Sequence, residues 1–404
     1  MNKEIFSYID SKPSMVNKTG SLHGKSISIQ PNMSVRGWPT EAGSRALERF
    51  AALEDATVVE NLRTAGVTIK GSTHMSELGF GLIGDTAAQA VATGEVDVAL
   101  VTDSMGEARI AASSKNLFGF KPSFGIISRY GLIGLIPSME CYGIVANTPL
   151  EITIVLEAIA GTDDRDYSMP EEVIPDFGRL EDIKTLGTCG VVAECVDMLE
   201  PSQSKAFSAA LSRLDENGMA IQEVSLKDFD LFRVAHNVIG SVEASSSCGK
   251  YDSVRYGHRA QSARNWNEMY IKSRAESFGL LVKTYLFQGA YYQFEDYGTF
   301  ENACRIRAQL VREMEALYET IDVLILPTRR KNDTIYDTHS IDDVYDVFDL
   351  TLPANMTGQP AIHIPGSFFG RETDPGLQFM APRLGDMRLL SVADHLMKVR
   401  EGDI

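Results

Sequence analysis

The alternation of apolar stretches between residues 22 and 103 constrains this chain's fold more than any other feature. "LHGKSISIQP", residues 22 to 31, alternates around Ile27 and Ile29, the two-residue period of a strand. "PTEAGSRALERFAALEDATVVENLRTAG" carries apolar residues at helical spacing, with a break near Asp55 and Gly66 as a C-cap. "VTIKG" reads as a short buried strand and "DTAAQAVATG" as a helix of small residues. "VDVALVT" is an apolar run of the kind covered on both faces. Strand, helix and strand at this spacing predict an α/β sheet with helices on both faces.

The pattern continues downstream. "LGTCGVVAEC" is a further strand, and "PSQSKAFSAALSRLDENG" a helix capped by Ser202 or Pro201. Residues 268 to 318 read as helical, "IDVLILPT" as a late buried strand, and "VFDLTLPANMTGQPAIHIPG" as turn-rich connections that close the sheet. No repeat or low-complexity linker divides the chain, so residues 1–404 are expected to form one domain. "RRKNDTIYDTHSIDD", residues 329 to 343, is the expected exposed loop.

Composition removes several function classes. A net charge of -17 argues against direct contact with nucleic acid, because phosphate repels an acidic surface. No run of 18 apolar residues exists to span a membrane, and "MNKEIFSYIDSKPSM" lacks the apolar core of a signal peptide. The five cysteines (Cys141, Cys189, Cys195, Cys248, Cys304) have no C-x-x-C spacing and read as free thiols in a reducing cytoplasm. His23, His74, His236, His339, His363 and His395 share no ligand spacing, so no metal is expected. No phosphate-binding glycine loop is present, so no cofactor is expected either.

"FGFKPSFGIISRYGLIGLIPSMECYG", residues 118 to 143, resembles the central segment of the amidase signature family. "ATVVENLRTAGVTIKGSTHMSELGFG", "LEAIAGTDDRD", "YDSVRYGHRA", "YIKSRAESFG", "VLILPT" and "LPANMTGQPAIHIPG" follow the family's order. The resemblance runs from about Leu22 to the C-terminus. It implies a mixed sheet in one α/β/α domain, with a shortened N-terminal helical region. It also implies a chemistry of three groups: a lysine base, a relay serine and a serine nucleophile. Backbone N–H groups of the nucleophile loop hold the oxyanion.

Carried onto this chain, the family pattern meets other residues. "GKSISIQPN" places Gln30 at the lysine. Lys25 lies an odd number of residues away on the same strand and points to the opposite face, so it reads as a surface lysine. "GLIGDTAAQAVATG" places Ile83 at the relay serine, with Asp85 or Thr86 expected to cap the following helix. "TDSMGEAR" places Glu107 at the nucleophile, and the Ile83–Glu107 separation is the one the family keeps between its serines. Met105 stands at a family glycine, which implies backbone strain and a disturbed oxyanion loop. Asp103 and Arg109 match the family and are expected to form an ion pair bracing that loop.

The expected ligand-facing residues are Ser104, Met105, Gly106 and Asp85, with His258 and Arg307 as candidates for gripping a carboxylate. Glu140 and Cys141 are expected to be structural. The aromatic cluster "GAYYQFEDYGTF" is expected to pack internally. Three readings stay open at this point. One is a repurposed enzyme with Glu107 as acid or base, desolvated between Ile83 and Met105 and acting on a small amide- or carboxylate-bearing, amino-acid-like substrate. The second is a catalytically silent ligand-binding or partner subunit. The third is a residual hydrolase with another nucleophile. The partners such a chain admits are a small-molecule ligand and a protein partner or second copy. Any link to RNA has to run through partner subunits, with no membrane involved.

Overall fold

The computed structural model describes residues 2–11, 17–181, 187–330, 338–370 and 376–401. Within them, eleven strands form one mixed sheet. In chain order they are β1 (Phe6–Ile9), β2 (Ser26–Ile29), β3 (Thr68–Thr73), β4 (Val98–Asp103), β5 (Phe118–Lys121), β6 (Cys141–Ala146), β7 (Thr188–Val192), β8 (Ala220–Val224), β9 (Val323–Pro327), β10 (Ala361–Ile364) and β11 (Leu377–Met380). The spatial order is β1-β3-β2-β4-β6-β5-β10-β11-β9-β7-β8. β2 runs parallel to β3 and β4, and β7 parallel to β8 and β9; the other pairs are antiparallel.

The two-residue period of the strands explains how both faces are filled. Val323 and Ile325 of β9 enter one core cluster, and Leu324 and Leu326 enter another on the opposite face. Likewise Val98 and Leu100 of β4 face one way, whereas Ala99 and Val101 face the small-residue helices. One face is covered by helices Thr57–Thr64, Pro149–Ile159, Pro201–Glu216 and Asp386–Glu401. The other carries helices Asp230–Ser247, Leu280–Phe294, Tyr297–Leu317 and Ile341–Phe348. No helix among the described residues is long and apolar enough to cross a membrane.

Helix Glu107–Ser114 lies unusually close to the sheet. Gly143 makes this possible, because a Cβ there would fall 2.5 Å from Ala108 Cβ. This contact fixes the helix start where β4 ends, and with it the candidate site.

The structure corrects several local expectations. Residues 39 to 55 are not helical. They hold a single 3-10 turn, Arg45–Leu47, and an isolated bridge from Pro39 to Ala51. Ala42, Gly43 and Arg49 all have positive φ there, which no helix accommodates. The regular helix starts only at Thr57. The helix Pro201–Glu216 has Glu200 as N-cap and Pro201 in its first turn, where its missing N–H is harmless. Asp85 sits at the N-cap of helix Thr86–Ala92 but makes no side-chain cap bond. Its carboxylate is taken by Ser114 Oγ (2.7 Å) and Lys115 Nζ (2.9 Å), while the Thr86 hydroxyl donates to the His74 carbonyl. In "GAYYQFEDYGTF", Tyr291, Phe294 and Tyr297 face solvent rather than the core. Of the expected loop at 329–343, residues 331–337 lie outside the described residues.

Candidate functional site

β4 delivers Asp103 to the foot of a tight turn, Ser104–Met105–Gly106, that opens helix Glu107–Ser114. The turn needs glycine at 106. Its φ is 129°, and a Cβ there would lie 2.2 Å from Thr351 Oγ1. Met105 is not among the residues with positive φ, so the strain expected at that position is absent. Its side chain is fully buried in the core cluster opposite.

The turn aims three successive backbone N–H groups at one point. Ser104, Met105 and Gly106 donate to Glu107 Oε2 at 2.7, 2.9 and 3.1 Å. The Ser104 hydroxyl donates to the other oxygen, Oε1, at 2.9 Å. Such a donor set, at a helix start, suits an oxyanion. Here the carboxylate of the same loop fills it.

Each of these three peptide planes is held from behind by a buried side chain. Asn355 Nδ2 donates to the Asp103 carbonyl (3.1 Å), which turns the Ser104 N–H inward. His236 Nε2 lies 3.0 Å from the Ser104 carbonyl, fixing the Met105 N–H. Thr351 Oγ1 donates to the Met105 carbonyl (2.6 Å), fixing the Gly106 N–H. The His236 ring is held in turn by the Tyr345 hydroxyl at 2.8 Å, itself 3.0 Å from the Tyr285 hydroxyl. A neutral imidazole that donates from Nε2 and accepts at Nδ1 satisfies both contacts. Burial pushes His236 down to about 4, consistent with that neutral form.

Arg109 braces the same turn. Its guanidinium lies 3.2 Å from Asp103 Oδ1, with both side chains fully buried. It also donates to the Thr351 carbonyl (3.0 Å), Asn355 Oδ1 (2.6 Å) and Gln378 Oε1. Burial pushes the Glu107 carboxyl up to about 7, and the nearby Asp103 carboxylate adds to the rise.

Gln30, Ile83 and Glu107 line one cleft, together with Asp85, Thr86 and Thr102. The cleft encloses only about 20 Å³, room for one water. Gln30 Oε1 accepts the Thr102 N–H at 2.8 Å and so ties β2 to β4. Ile83 is 62% exposed at the rim, so the apolar wall expected from it is absent. The desolvation of Glu107 comes from its own position, 4% exposed beneath the turn. Lys25 is paired with Glu151 (2.8 Å) at a half-exposed position and is not part of the cleft lining.

His258 and Arg307 do not join this cleft. His258 Nε2 meets Glu276 at 2.5 Å. Arg307 is engaged away from the cleft, by the Met356 carbonyl through Nε and by the Ser138 hydroxyl and carbonyl through its two Nη atoms, at 2.8 to 2.9 Å. Glu140 accepts the Leu135 and Ile136 N–H groups. Among the described residues no group of three or more His, Cys, Asp or Glu is arranged to hold a metal ion. Sequence reasoning missed His236, Thr351 and Asn355. Only Asn355 carried any signal, through the "LPANMTGQP" stretch.

The sequence model of the Amidase family matches residues 3–88 and 86–390. The chain belongs to the Amidase family. It is 33% identical over 408 residues to the A subunit of glutamyl-tRNA(Gln) amidotransferase from Synechococcus sp. (strain RCC307), covering 93% of this chain and 83% of that protein. The Natronomonas pharaonis counterpart is 32% identical over 411 residues, covering 93% and 96%. In fold, the chain resembles the solved Thermotoga maritima counterpart with a TM-score of 0.80 at 24% identity, covering 97% and 87%. It also resembles a peptide amidase of Stenotrophomonas maltophilia with a TM-score of 0.73 at 22% identity, covering 94% and 83%. These likenesses account for the eleven-stranded α/β architecture of this Amidase-family chain.

Proposed function

We propose that this chain is an Amidase-family protein in which the Lys–Ser–Ser machinery has been replaced, and that it serves as a catalytically silent ligand-binding or partner subunit. One observation carries this reading. The Glu107 carboxylate occupies the three-N–H nest that an amide oxyanion would need. The register that puts Glu107 at the nucleophile position also puts Gln30 and Ile83 at the base and relay positions. Neither can exchange a proton near neutrality. The narrowness of the cleft supports the same reading, since an active site needs space for a substrate.

A second reading is favoured by the Glu107 carboxyl itself, which lines the cleft and is pushed up to about 7. A carboxyl near neutrality suits general acid–base work on a small amide- or carboxylate-bearing substrate. A residual hydrolase has less support. The Ser104 hydroxyl does meet Glu107 Oε1, but Ser104 is buried and does not line the cleft.

The test is hydrolysis of glutamine, asparagine and aryl amides by purified protein, beside the Glu107→Gln variant. The silent reading expects no turnover above background from either. Turnover abolished in Glu107→Gln, with an unchanged melting curve, overturns it in favour of acid–base catalysis. Turnover that survives the substitution removes both readings and points to another nucleophile.

A further inference from the structure

Lys121 is the last residue of β5 and Cys141 the first of β6. These strands pair antiparallel, with Phe118 opposite Ala146 and Phe120 opposite Ile144. The same register sets Lys121 opposite Gly143 and Cys141 two residues along on the same face. That is a diagonal pair, within reach of a long side chain. Lys121 Nζ lies 3.8 Å from Cys141 Sγ, and the two residues are 1 and 5% exposed. A lysine buried this fully is ordinarily paired with a carboxylate. Among the described residues Lys121 has no ion pair; its hydrogen-bond partners are the Pro122 carbonyl, at 2.7 Å, and the Cys141 sulfur. Asp103 and Asp386 act on it only from further away. Burial pushes the amine down, toward the neutral form with a free electron pair, and pushes the thiol up to about 12. A protonated thiol alone reacts slowly with oxidants. A neutral amine in contact with it offers a base for the S–H proton and then a nucleophile for the oxidised sulfur. Cys189, Cys195 and Cys248 are also buried, and none has a lysine amine as a hydrogen-bond partner.

We propose that Lys121 and Cys141 form an oxidation site, at which hydrogen peroxide converts the pair into a covalent, thiol-reversible S–N link between β5 and β6. In the first step the Cys141 sulfur attacks a peroxide oxygen while Lys121 Nζ takes the thiol proton. The O–O bond breaks, and the departing hydroxide recovers that proton from Nζ and leaves as water. Cys141 is then a sulfenic acid and the amine is neutral again. In the second step Nζ attacks the sulfur and the S–O bond breaks. Hydroxide leaves with one N–H proton as a second water. The sulfur is oxidised by two electrons, the peroxide is reduced by two, and the protein ends two hydrogens lighter. The link reaches the candidate site. Cys141 pairs with Asp103 across the sheet, and its S–H donates to the Asp103 carbonyl at 3.6 Å. That carbonyl shares its peptide with the Ser104 N–H of the nest. Oxidation removes this donor and leaves the carbonyl to Asn355 Nδ2. None of this depends on whether Glu107 transfers a proton.

The experiment is peptide mapping of the full-length protein. Fully reduced, folded protein is exposed to hydrogen peroxide, cleared with catalase, unfolded in guanidinium with iodoacetamide and digested with trypsin. Trypsin does not cut before Pro122, so Lys121 falls in peptide 116–129 and Cys141 in peptide 130–165. The expected product is these two peptides joined, two hydrogens lighter than their sum. A missed cut at Arg129 is distinguishable, because it is lighter than the sum by a whole water. Alkylation of Cys141 should be lost as the product forms, and dithiothreitol before alkylation should restore it. Lys121→Met and Cys141→Ser should each abolish the product. The decisive results come from the parent protein, whose folding is not in question. Cys141 that stays alkylatable while the exposed Cys304 is consumed overturns the proposal. So does Cys141 found as a sulfinic acid with Lys121 unlinked, or an equal yield of the joined peptides from protein unfolded before the peroxide is added.

Discussion

Replacing Glu107 by Gln keeps the size of the side chain and an acceptor for the three converging N–H groups, and removes only the ionisation. The effect on stability can be worked out from the environment. The ordinary value of this carboxyl is 4.5, whereas in the fold it is pushed up to about 7. A group whose folded value is raised stabilises the fold fully below its unfolded value. That stability is lost as pH rises through the folded value, because the folded state holds the proton longer. The shift corresponds to about 3 kcal/mol, lost between roughly pH 4.5 and 7. Glu107→Gln cannot lose it. Urea unfolding of both proteins from pH 4.5 to 8 should therefore show the variant gaining on the parent by about 3 kcal/mol across that window. The comparison cancels every other titrating group, since both proteins share them. Glu107→Ala is a harsher change, leaving three buried N–H groups without their acceptor at about 1 kcal/mol or more each. A stability difference between parent and Glu107→Gln that stays constant with pH refutes the reasoning, because the buried carboxylate then pays no ionisation penalty.

Asp103→Ala should destabilise by about 3–5 kcal/mol, because it leaves the fully buried Arg109 guanidinium without its carboxylate; a loss under about 1 kcal/mol in urea unfolding contradicts the bracing role. His236→Phe should cost about 1–3 kcal/mol at pH 7 through the unsatisfied Ser104 carbonyl and the lost contact to the Tyr345 hydroxyl, which keeps only Tyr285. Burial holds His236 down to about 4, below the 6.5 of the unfolded chain, so the parent loses stability as pH falls from 6.5 toward 4. The gap between parent and His236→Phe should accordingly narrow on acidification, as measured by paired unfolding curves.

Strands β2, β3, β4, β7 and β9 were legible because they are continuous apolar runs or clean alternations, as in "VDVALVT" and "IDVLILPT". The segment from Pro39 to Asp55 misled for a physical reason. Ala42, Ala46 and Leu47 have helical spacing and are all buried, but they are buried by an irregular loop. Its positive φ values at Ala42 and Arg49 are invisible in composition. At the site, register alone brought Gln30, Ile83 and Glu107 to one cleft. What holds the turn could not be read. Asn355, His236 and Thr351 lie 252, 132 and 246 residues from the carbonyls they hold. His258 and Arg307 sit in promising segments, but their side chains are engaged by neighbours away from the cleft.

The nest and its occupant explain one another. Three convergent N–H groups under a closed turn, each locked by a buried anchor on the far side of its peptide, cannot rotate away to find water. Left empty, they would carry the full cost of buried unsatisfied donors. A serine hydroxyl at position 107 is too short to fill them; it would leave the nest for an incoming oxyanion or a water. Glutamate reaches back over its own helix start and satisfies all three, and its charge favours the helix N-terminus. The same side chain that makes the turn self-sufficient removes the acceptor vacancy that acyl transfer uses. On the proposed reading this is a stability–function exchange of the familiar kind. On that same reading, with a carboxylate in the nest, a base at position 30 and a relay at position 83 would have no acyl transfer to serve. Gln30 then serves as a tie between β2 and β4, and Ile83 as a solvent-facing loop residue.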